Sequence, residues 1–277
     1  MPHDPGALHR IEPGSKVDLR SIDPSKTPGL SGSRAEERAA AEAAHAENIK
    51  AMRDLQYKLW AEQKQSLLVV LQGMDTSGKD GTIRHVFGAL NPQGVRVQGF
   101  KRPTPEELRH DFLWRVHKFA PAAGGIVVFN RSHYEDVLAV RVLKLVHEDL
   151  WRLRYDHIND FERLLGESGT AVVKIMLHIS KNEQKERLQA RLDEPDKRWK
   201  FEMGDLETRK RWGDYRAAYE EAIERCNTAE APWHIVPADR KWYRNWVISS
   251  IVRARLEAMD PKTPPADPQL DHVTIDD

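Results

Sequence analysis

The pattern of apolar and polar positions changes period repeatedly along the chain. Leu67 to Leu71 is an unbroken apolar run ended by Gly73, the mark of a strand buried on both faces. Ile126 to Phe129 and Ala171 to Ile179 repeat it, Val95 to Phe100 is a weaker version, and Trp233 to Val236 a short one. Between these runs apolar residues fall at helical spacing. Ile49, Met52, Leu55 and Leu59 predict a long amphipathic helix ahead of the first strand, and Leu108, Phe112, Val116 and Phe119 a helix after the Pro103-Thr104-Pro105 break. Helix formers dominate from about Tyr134 to Leu165, with Val137, Val140 and Leu143 three apart. Lys181 to Leu192 reads as a charged helix interrupted at Asp193-Glu194-Pro195-Asp196, because proline cannot donate to the helical ladder. Trp212, Tyr215, Tyr219 and Ile223 define another helix face, and Trp242 to Leu256 a closing helix. Strands alternating with helices predict a three-layer α/β domain, a parallel sheet with helices on both faces and ligands at the carboxyl ends of the strands.

The flanks break this pattern. Residues 1–32 carry five prolines, several glycines and little periodicity, and read as an extended N-terminal arm that could pack on a neighbouring subunit. Residues 33–260 form the single domain, and 261–277, acidic and proline-containing, a flexible tail. The 277-residue chain has 43 Lys plus Arg against 43 Asp plus Glu, so any anion site is local and neither nucleic acid nor a membrane is an expected partner. No apolar run approaches a membrane span and the Met1-Pro2-His3-Asp4-Pro5 start lacks signal-peptide character, so a soluble, cytoplasmic location is expected. The one cysteine, Cys226, reads as a buried small hydrophobe.

Chemistry concentrates in three stretches. Gly73-Met74-Asp75-Thr76-Ser77-Gly78-Lys79 is a Gly-x4-Gly-Lys sequence between a buried strand and a helix. Its glycines let the backbone wrap an anion with amides pointing inward, and Lys79 supplies a mobile charge, which makes the fold P-loop kinase-like. Asp80 stands where Ser or Thr usually ligates magnesium. Asp75 would repel phosphate unless a divalent cation joins them, so it is a candidate Mg²⁺ ligand; capping the following helix is the alternative. The second stretch, Ile126 to Asp136, ends a strand in Asn130-Arg131. Asn130 is a second candidate metal ligand, and Arg131 can contact phosphoryl oxygens with its planar fork. Glu135 and Asp136 are candidate nucleotide contacts, or solvated acids at a helix N-terminus. His133 reads as a local hydrogen-bonding residue.

The third stretch is cationic. Arg187 and Arg191 share a helix face, and Lys197, Arg198 and Lys200 follow with Trp199 and Phe201 interleaved. Such a cluster would repel itself until a polyanion bound, as in a kinase lid spanning about 181–204. A solvated charge run is the alternative, and for Trp199 and Phe201 the choice lies between stacking a base and packing at a hinge.

The runs Gly73 to Thr82, Phe129 to Val137 and Arg191 to Phe201, in this order and spacing, closely resemble the polyphosphate kinase 2 family over about residues 35 to 258. The resemblance implies that Asp75 and Lys79 act in a phosphate loop whose contacts extend over Gly73, Thr76, Ser77, Gly78, Asp80, Gly81 and Thr82, with Arg131 in the second motif and Arg191 in the lid. It implies inorganic polyphosphate and AMP or ADP as substrates, GMP and GDP as further candidates, Mg²⁺ or in its place Mn²⁺, and a homo-dimer or homo-tetramer. Arg84, Lys101 and Arg102 would line a basic donor tunnel. Asn130 occupies a position often Asp in the family, and the Asn-Arg-Ser-His-Tyr-Glu-Asp form resembles the subgroup that accepts both mono- and diphosphates. The rival readings are an ATP-dependent nucleoside monophosphate kinase and a non-catalytic nucleotide-binding regulator.

Overall fold

A computed structural model describes residues 5–275; residues 1–4 of the arm and 276–277 of the tail lie outside the described residues. The expected strands form one five-stranded sheet: β1 (Ser66–Gln72), β2 (Val95–Gly99), β3 (Ile126–Asn130), β4 (Thr170–His178) and β5 (Trp233–Pro237), in the order β2-β3-β1-β4-β5. Every pairing is parallel, and β1, with all seven residues buried, lies at the centre. Register places the chemistry. Leu71 pairs with Asn130 on one side and Ile175 on the other, and Gly99 pairs with Asn130. The loops after all the strands therefore emerge at one carboxyl edge, where β1 is also the point at which the strand order reverses.

Ahead of the sheet, α1 (Arg34–Glu62) starts at a capping box in which Ser33 and Glu36 satisfy each other's backbone amides. It lies against α9 (Lys241–Met259) through buried Met52 and Leu59 and through Asn48, which donates to Ser249 and Ser250 at 3.1 and 2.8 Å. The arm packs on its own chain. Ile11 N donates to the Trp233 carbonyl at 2.8 Å, Arg10 bridges antiparallel to His234, His9 meets Tyr243 Oη at 2.7 Å, and Leu19 is buried. This contact covers part of the open edge at β5.

Three helices differ from expectation. The Leu108–Phe119 helix is broken into a 3-10 turn (Glu107–Arg109) and the short α3 (Trp114–His117), because the Asp111 carboxylate accepts from Leu113 N and Trp114 N at 2.9 and 3.1 Å and competes with helical acceptors. The Tyr134–Leu165 stretch divides into a 3-10 turn (His133–Asp136), α4 (Ala139–Val142) and α5 (Glu148–Glu167), parted by Lys144 at φ 53°. The phosphate-motif helix, α2 (Lys79–Thr82), makes one α turn and widens into a π-helical turn over Ile83–Phe87. Beyond β4, α6 (Lys181–Asp193) is capped by Ser180 and ends before Pro195. Then come α7 (Met203–Lys210), which the apolar periodicity does not reveal, and α8 (Trp212–Arg225).

Between the sheet and α5 lies a buried polar cluster. Lys174 of β4, fully buried, donates to Glu162 Oε2 at 2.5 Å, to Tyr134 Oη at 3.1 Å and to the Cys226 carbonyl. Tyr134 donates to Glu162 Oε1 at 2.8 Å, and His133 Nε2 lies 3.2 Å from the same oxygen. His133 is thus a local hydrogen-bonding residue, its pKa lowered by burial, and Cys226 is buried with its thiol pushed up to about 12 by burial. The pairing ties the turn after Arg131 to the central sheet. Lys174→Met leaves the Glu162 carboxylate buried without its cation and is expected to destabilise the protein by about 3–5 kcal/mol, much of it recovered in Lys174→Met/Glu162→Leu. Denaturant unfolding of the three proteins checks this; a single-variant loss below about 1 kcal/mol would show that the pair does not anchor the turn.

Candidate active site at the carboxyl edge

The loop after β1 is shaped by backbone that few side chains tolerate. Gly73 has φ 147° and Gly78 φ 104°, and a β-carbon on Gly73 would lie 2.6 Å from the Leu177 carbonyl oxygen. Thr76 takes φ 63° without being glycine, and so does Arg131 at φ 62° in the second motif. Backbone strain therefore marks both motifs at the point where they meet.

Lys79 is buried and folds over the loop, donating to the carbonyls of Gly73 and Met74 at 2.7 and 3.2 Å. Burial, and then the Arg131 guanidinium, pull its pKa down from 10.5 to about 8 against the carboxylates of Asp75, Glu135 and Asp80. The hydroxyls of Thr76, Ser77 and Thr82 are buried without a hydrogen-bond partner. Three orphan hydroxyls around one glycine loop are groups that a bound oxyanion or a cation carried with it would satisfy.

The second motif converges on this loop. Arg131 donates to Asp75 Oδ1 at 2.8 Å, and Asn130 Nδ2 donates to Asp80 Oδ1 at 2.7 Å. Glu135 faces the same place, since its charge acts on Lys79, Arg131, Tyr215 and Tyr219. Asp136 does not join them. It pairs with Arg154 of α5 at 2.7 Å, and burial pushes its pKa up to about 6 against the pull of Arg154, with the Glu135 charge adding to the rise. Expected as a nucleotide contact, it here ties its turn to α5.

The lid cations each have a partner. Arg187 directs its donors onto backbone: Nη1 to the Thr76 and Ser77 carbonyls at 2.9 and 3.1 Å, Nη2 to Ala238 and Asp239 at 2.7 and 3.1 Å, with Nε on Glu183 at 2.7 Å. Expected as a phosphate contact, it here braces the outside of the loop. Arg191 donates to the Lys200 carbonyl at 2.9 Å and to Asp205 of α7 at 3.1 Å. Lys197 pairs with Glu194, Arg198 donates to the Leu192 carbonyl at 2.7 Å, and Lys200 lies over the Trp199 ring. The expected mutual repulsion is therefore answered one cation at a time. Trp199 is 78 % exposed, while Phe201 is half-buried. Arg84, Lys101 and Arg102 are exposed, Lys101 and Arg102 just beyond β2 and Arg84 in the π turn.

Sequence reasoning missed three residues that the fold brings in. Gln184 donates to the Asp75 carbonyl at 3.1 Å. Asp205 is buried, and burial followed by the Asp75 charge raises its pKa above the usual carboxylate range. Arg244 of α9 presses its guanidinium against Gly78 and Gly81. A lone arginine amid Tyr243, Trp246, Val247 and Ile248 was the available signal. A groove of about 690 Å³ lined by His110, Phe112, His117, Leu153 and Arg154 shares no residue with the loop.

The oxygens near the loop, from the Asp75 and Asp80 carboxylates and the Asn130 amide, are hard donors suited to magnesium. Among the described residues no three His, Cys, Asp or Glu side chains converge on a metal position. An ion here fits only if phosphate oxygens and water complete its shell, the habit of Mg²⁺ rather than of a protein-caged metal. Gly73→Ala sets a methyl against the Leu177 carbonyl. It is expected to cost more than about 1 kcal/mol and to lower tripolyphosphate affinity, read by thermal unfolding with and without that anion; an unchanged protein would show that the loop is not so constrained.

The model of the polyphosphate kinase 2 family matches residues 35–264. An AMP/ADP-polyphosphate phosphotransferase of Meiothermus ruber is 48 % identical over 268 residues, 97 % of this chain and 99 % of that one. An ADP-polyphosphate phosphotransferase of Rhodopseudomonas palustris is 42 % identical over 237 residues, 79 % of this chain and 81 % of that one. The crystal structure of polyphosphate kinase 2 from Arthrobacter aurescens TC1 superimposes with a TM-score of 0.91 at 46 % identity, over 96 % of this chain and 93 % of that one. Matched from α1 through α9, with all three chemical stretches inside the match, this chain belongs to the polyphosphate kinase 2 family.

Proposed function

We propose that this enzyme transfers a phosphoryl group reversibly between inorganic polyphosphate and adenine nucleotides, with AMP and ADP as acceptors and GMP and GDP as weaker candidates. The observation that carries the reading is the convergence of Lys79, three unpartnered loop hydroxyls, the Asp75–Arg131 pair and the Asn130–Asp80 pair at one carboxyl edge. The two curated relatives above, whose names give polyphosphate and AMP or ADP, support the substrate choice.

In the forward step a terminal oxygen of the acceptor phosphate attacks the terminal phosphorus of polyphosphate in line. The bond from that phosphorus to its bridging oxygen breaks, and the shortened chain keeps the electron pair. A loose transition state of this kind needs positioning and charge neutralisation. The loop amides and Lys79 hold the donor phosphates, and Lys79 exchanges its carbonyl partners for phosphate oxygens. Arg131 answers charge on the moving group while Asp75 fixes its fork. Glu135, Asp136, Trp199 and Phe201 are the candidates on the nucleotide side. Arg191, poised on Asp205, supplies the lid's charge, and exposed Arg84, Lys101 and Arg102 offer a basic approach for the rest of the chain. Mg²⁺, with Mn²⁺ in its place, would be held by Asp75 and Asn130 together with phosphate oxygens and would screen the repulsion between donor and acceptor.

Among the described residues no helix is long and apolar enough to cross a membrane. A cytoplasmic location belongs to this proposal, as does a homo-dimer or homo-tetramer, for which exposed Leu145, Leu150 and Leu153 offer an apolar surface.

A matrix of polyphosphate or ATP against AMP, ADP, GMP and GDP, with and without Mg²⁺, tests the reading. Product from polyphosphate alone is expected, whereas dependence on ATP as donor would make the protein a nucleoside monophosphate kinase, and binding without turnover a regulator. Lys79→Ala and Asp75→Asn should each lower kcat by about 10²-fold or more with the fold retained. Arg191→Ala should lower kcat more than it raises KM; an effect on KM alone would demote it to a docking residue.

A further inference from the structure

The loop's rear face carries a cation that the mechanism above does not use. Arg244 is 2 % exposed on α9, and a β-carbon on Gly78 would sit 1.9 Å from its Nη1 and one on Gly81 3.2 Å from its Nη2. Its hydrogen-bond partner is the neutral Oδ1 of Asn245, at 3.2 Å from Nε and 2.8 Å from Nη2. Among the described residues no carboxylate forms an ion pair with it. Its charged neighbours are cations: Arg187, already committed to the loop carbonyls, and Lys241, one turn earlier on α9. Glu183 acts on Lys241 but is paired with Arg187.

A buried guanidinium held by one neutral amide is costly in the ligand-free protein. The cost is answered when negative charge arrives close by in the same low-dielectric surroundings. Gly78 and Gly81 carry no β-carbon, so the Arg244 guanidinium lies directly against the backbone of the turn into Lys79.

We propose that Arg244 is a positioning residue for phosphoryl transfer: wedged behind Gly78 and Gly81 with no carboxylate partner, it holds the loop in its anion-ready shape and its unanswered charge draws polyphosphate onto the opposite face. Burial first, and Arg187 second, lower the Arg244 pKa to about 9, in keeping with a cation that lacks a counter-ion. The inference rests on the phosphotransferase reading and adds to it a source of donor affinity that never touches the donor.

The test compares wild type with Arg244→Met, Arg244→Lys and Arg244→Gln, using tripolyphosphate without metal as the binding probe and polyphosphate with ADP for kinetics. Arg244→Met should keep or raise the ligand-free melting temperature while tripolyphosphate binds about tenfold more weakly and KM for polyphosphate rises about as much, kcat changing less. Arg244→Lys should recover most of the affinity and Arg244→Gln should not; this pair decides the matter if the methionine variant fails to fold. Wild-type affinity in the neutral variants, or a fall in ligand-free melting with affinity intact, overturns the proposal and leaves the phosphotransferase reading standing. A wild-type protein that neither binds tripolyphosphate nor uses polyphosphate as donor overturns both.

Discussion

Backbone amides can point into a loop only if the carbonyls between them point out, and an outward carbonyl that is buried needs a donor. Arg187 is that donor. Its Nη1 holds the Thr76 and Ser77 carbonyls and its Nη2 those of Ala238 and Asp239, so one guanidinium ties the phosphate loop to the segment after β5. The planar fork matters, because an ammonium could not meet two pairs of carbonyls in fixed directions. Since Arg187 lies on α6, the helix that carries Arg191 toward the lid, the loop's shape and the lid's root share one anchor.

The second motif is held by a different device. Asn130 and Arg131 stand at the end of a strand, where register with Leu71 fixes their height. The left-handed turn at Arg131 is kept in place because the next residues are locked below it: Ser132 accepts from Gln72 of β1, and Tyr134 and His133 lead into the buried Lys174–Glu162 pair. A buried charged pair between sheet and helix is weak evidence for stability, but it has strong directional demands. Here those demands orient the turn that carries Arg131.

Much of this was legible in the sequence. Unbroken apolar runs bounded by turn signals gave β1, β3 and β4, each too short for a helix, while β5 was a short run and β2, half-exposed at the sheet's edge, only a weak one. The glycine spacing gave the loop, and the order of the three stretches gave the family. What was not legible depends on side-chain partners. Asp111 breaks a helix that periodicity alone supports, and Asp136 turns to Arg154, the seventh residue of α5, a pairing no local pattern announces. Asp205 and Arg244 lie far along the chain from the loop they adjoin, one on a helix that periodicity does not reveal and the other on one whose spacing looks merely structural.

The cations show why counting charge in a stretch misleads. Five basic residues between Arg187 and Lys200 suggested a repelling cluster waiting for an anion, yet Arg191 and Lys197 pair with carboxylates, and Arg187 and Arg198 donate to carbonyls. A cation already satisfied must lose a partner before it gains a phosphate, which turns its response into an exchange. Lys79 holds two neutral carbonyls, a smaller loss on exchange than a carboxylate, whereas Arg191 is held by Asp205. That carboxylate is itself strained by burial and by the nearby charge of Asp75, so its hold on Arg191 is opposed by the site it faces. The readiness of each cation to meet phosphate is therefore set by how weakly its present partner competes, and this ordering follows from the fold and not from the density of Lys and Arg along the chain.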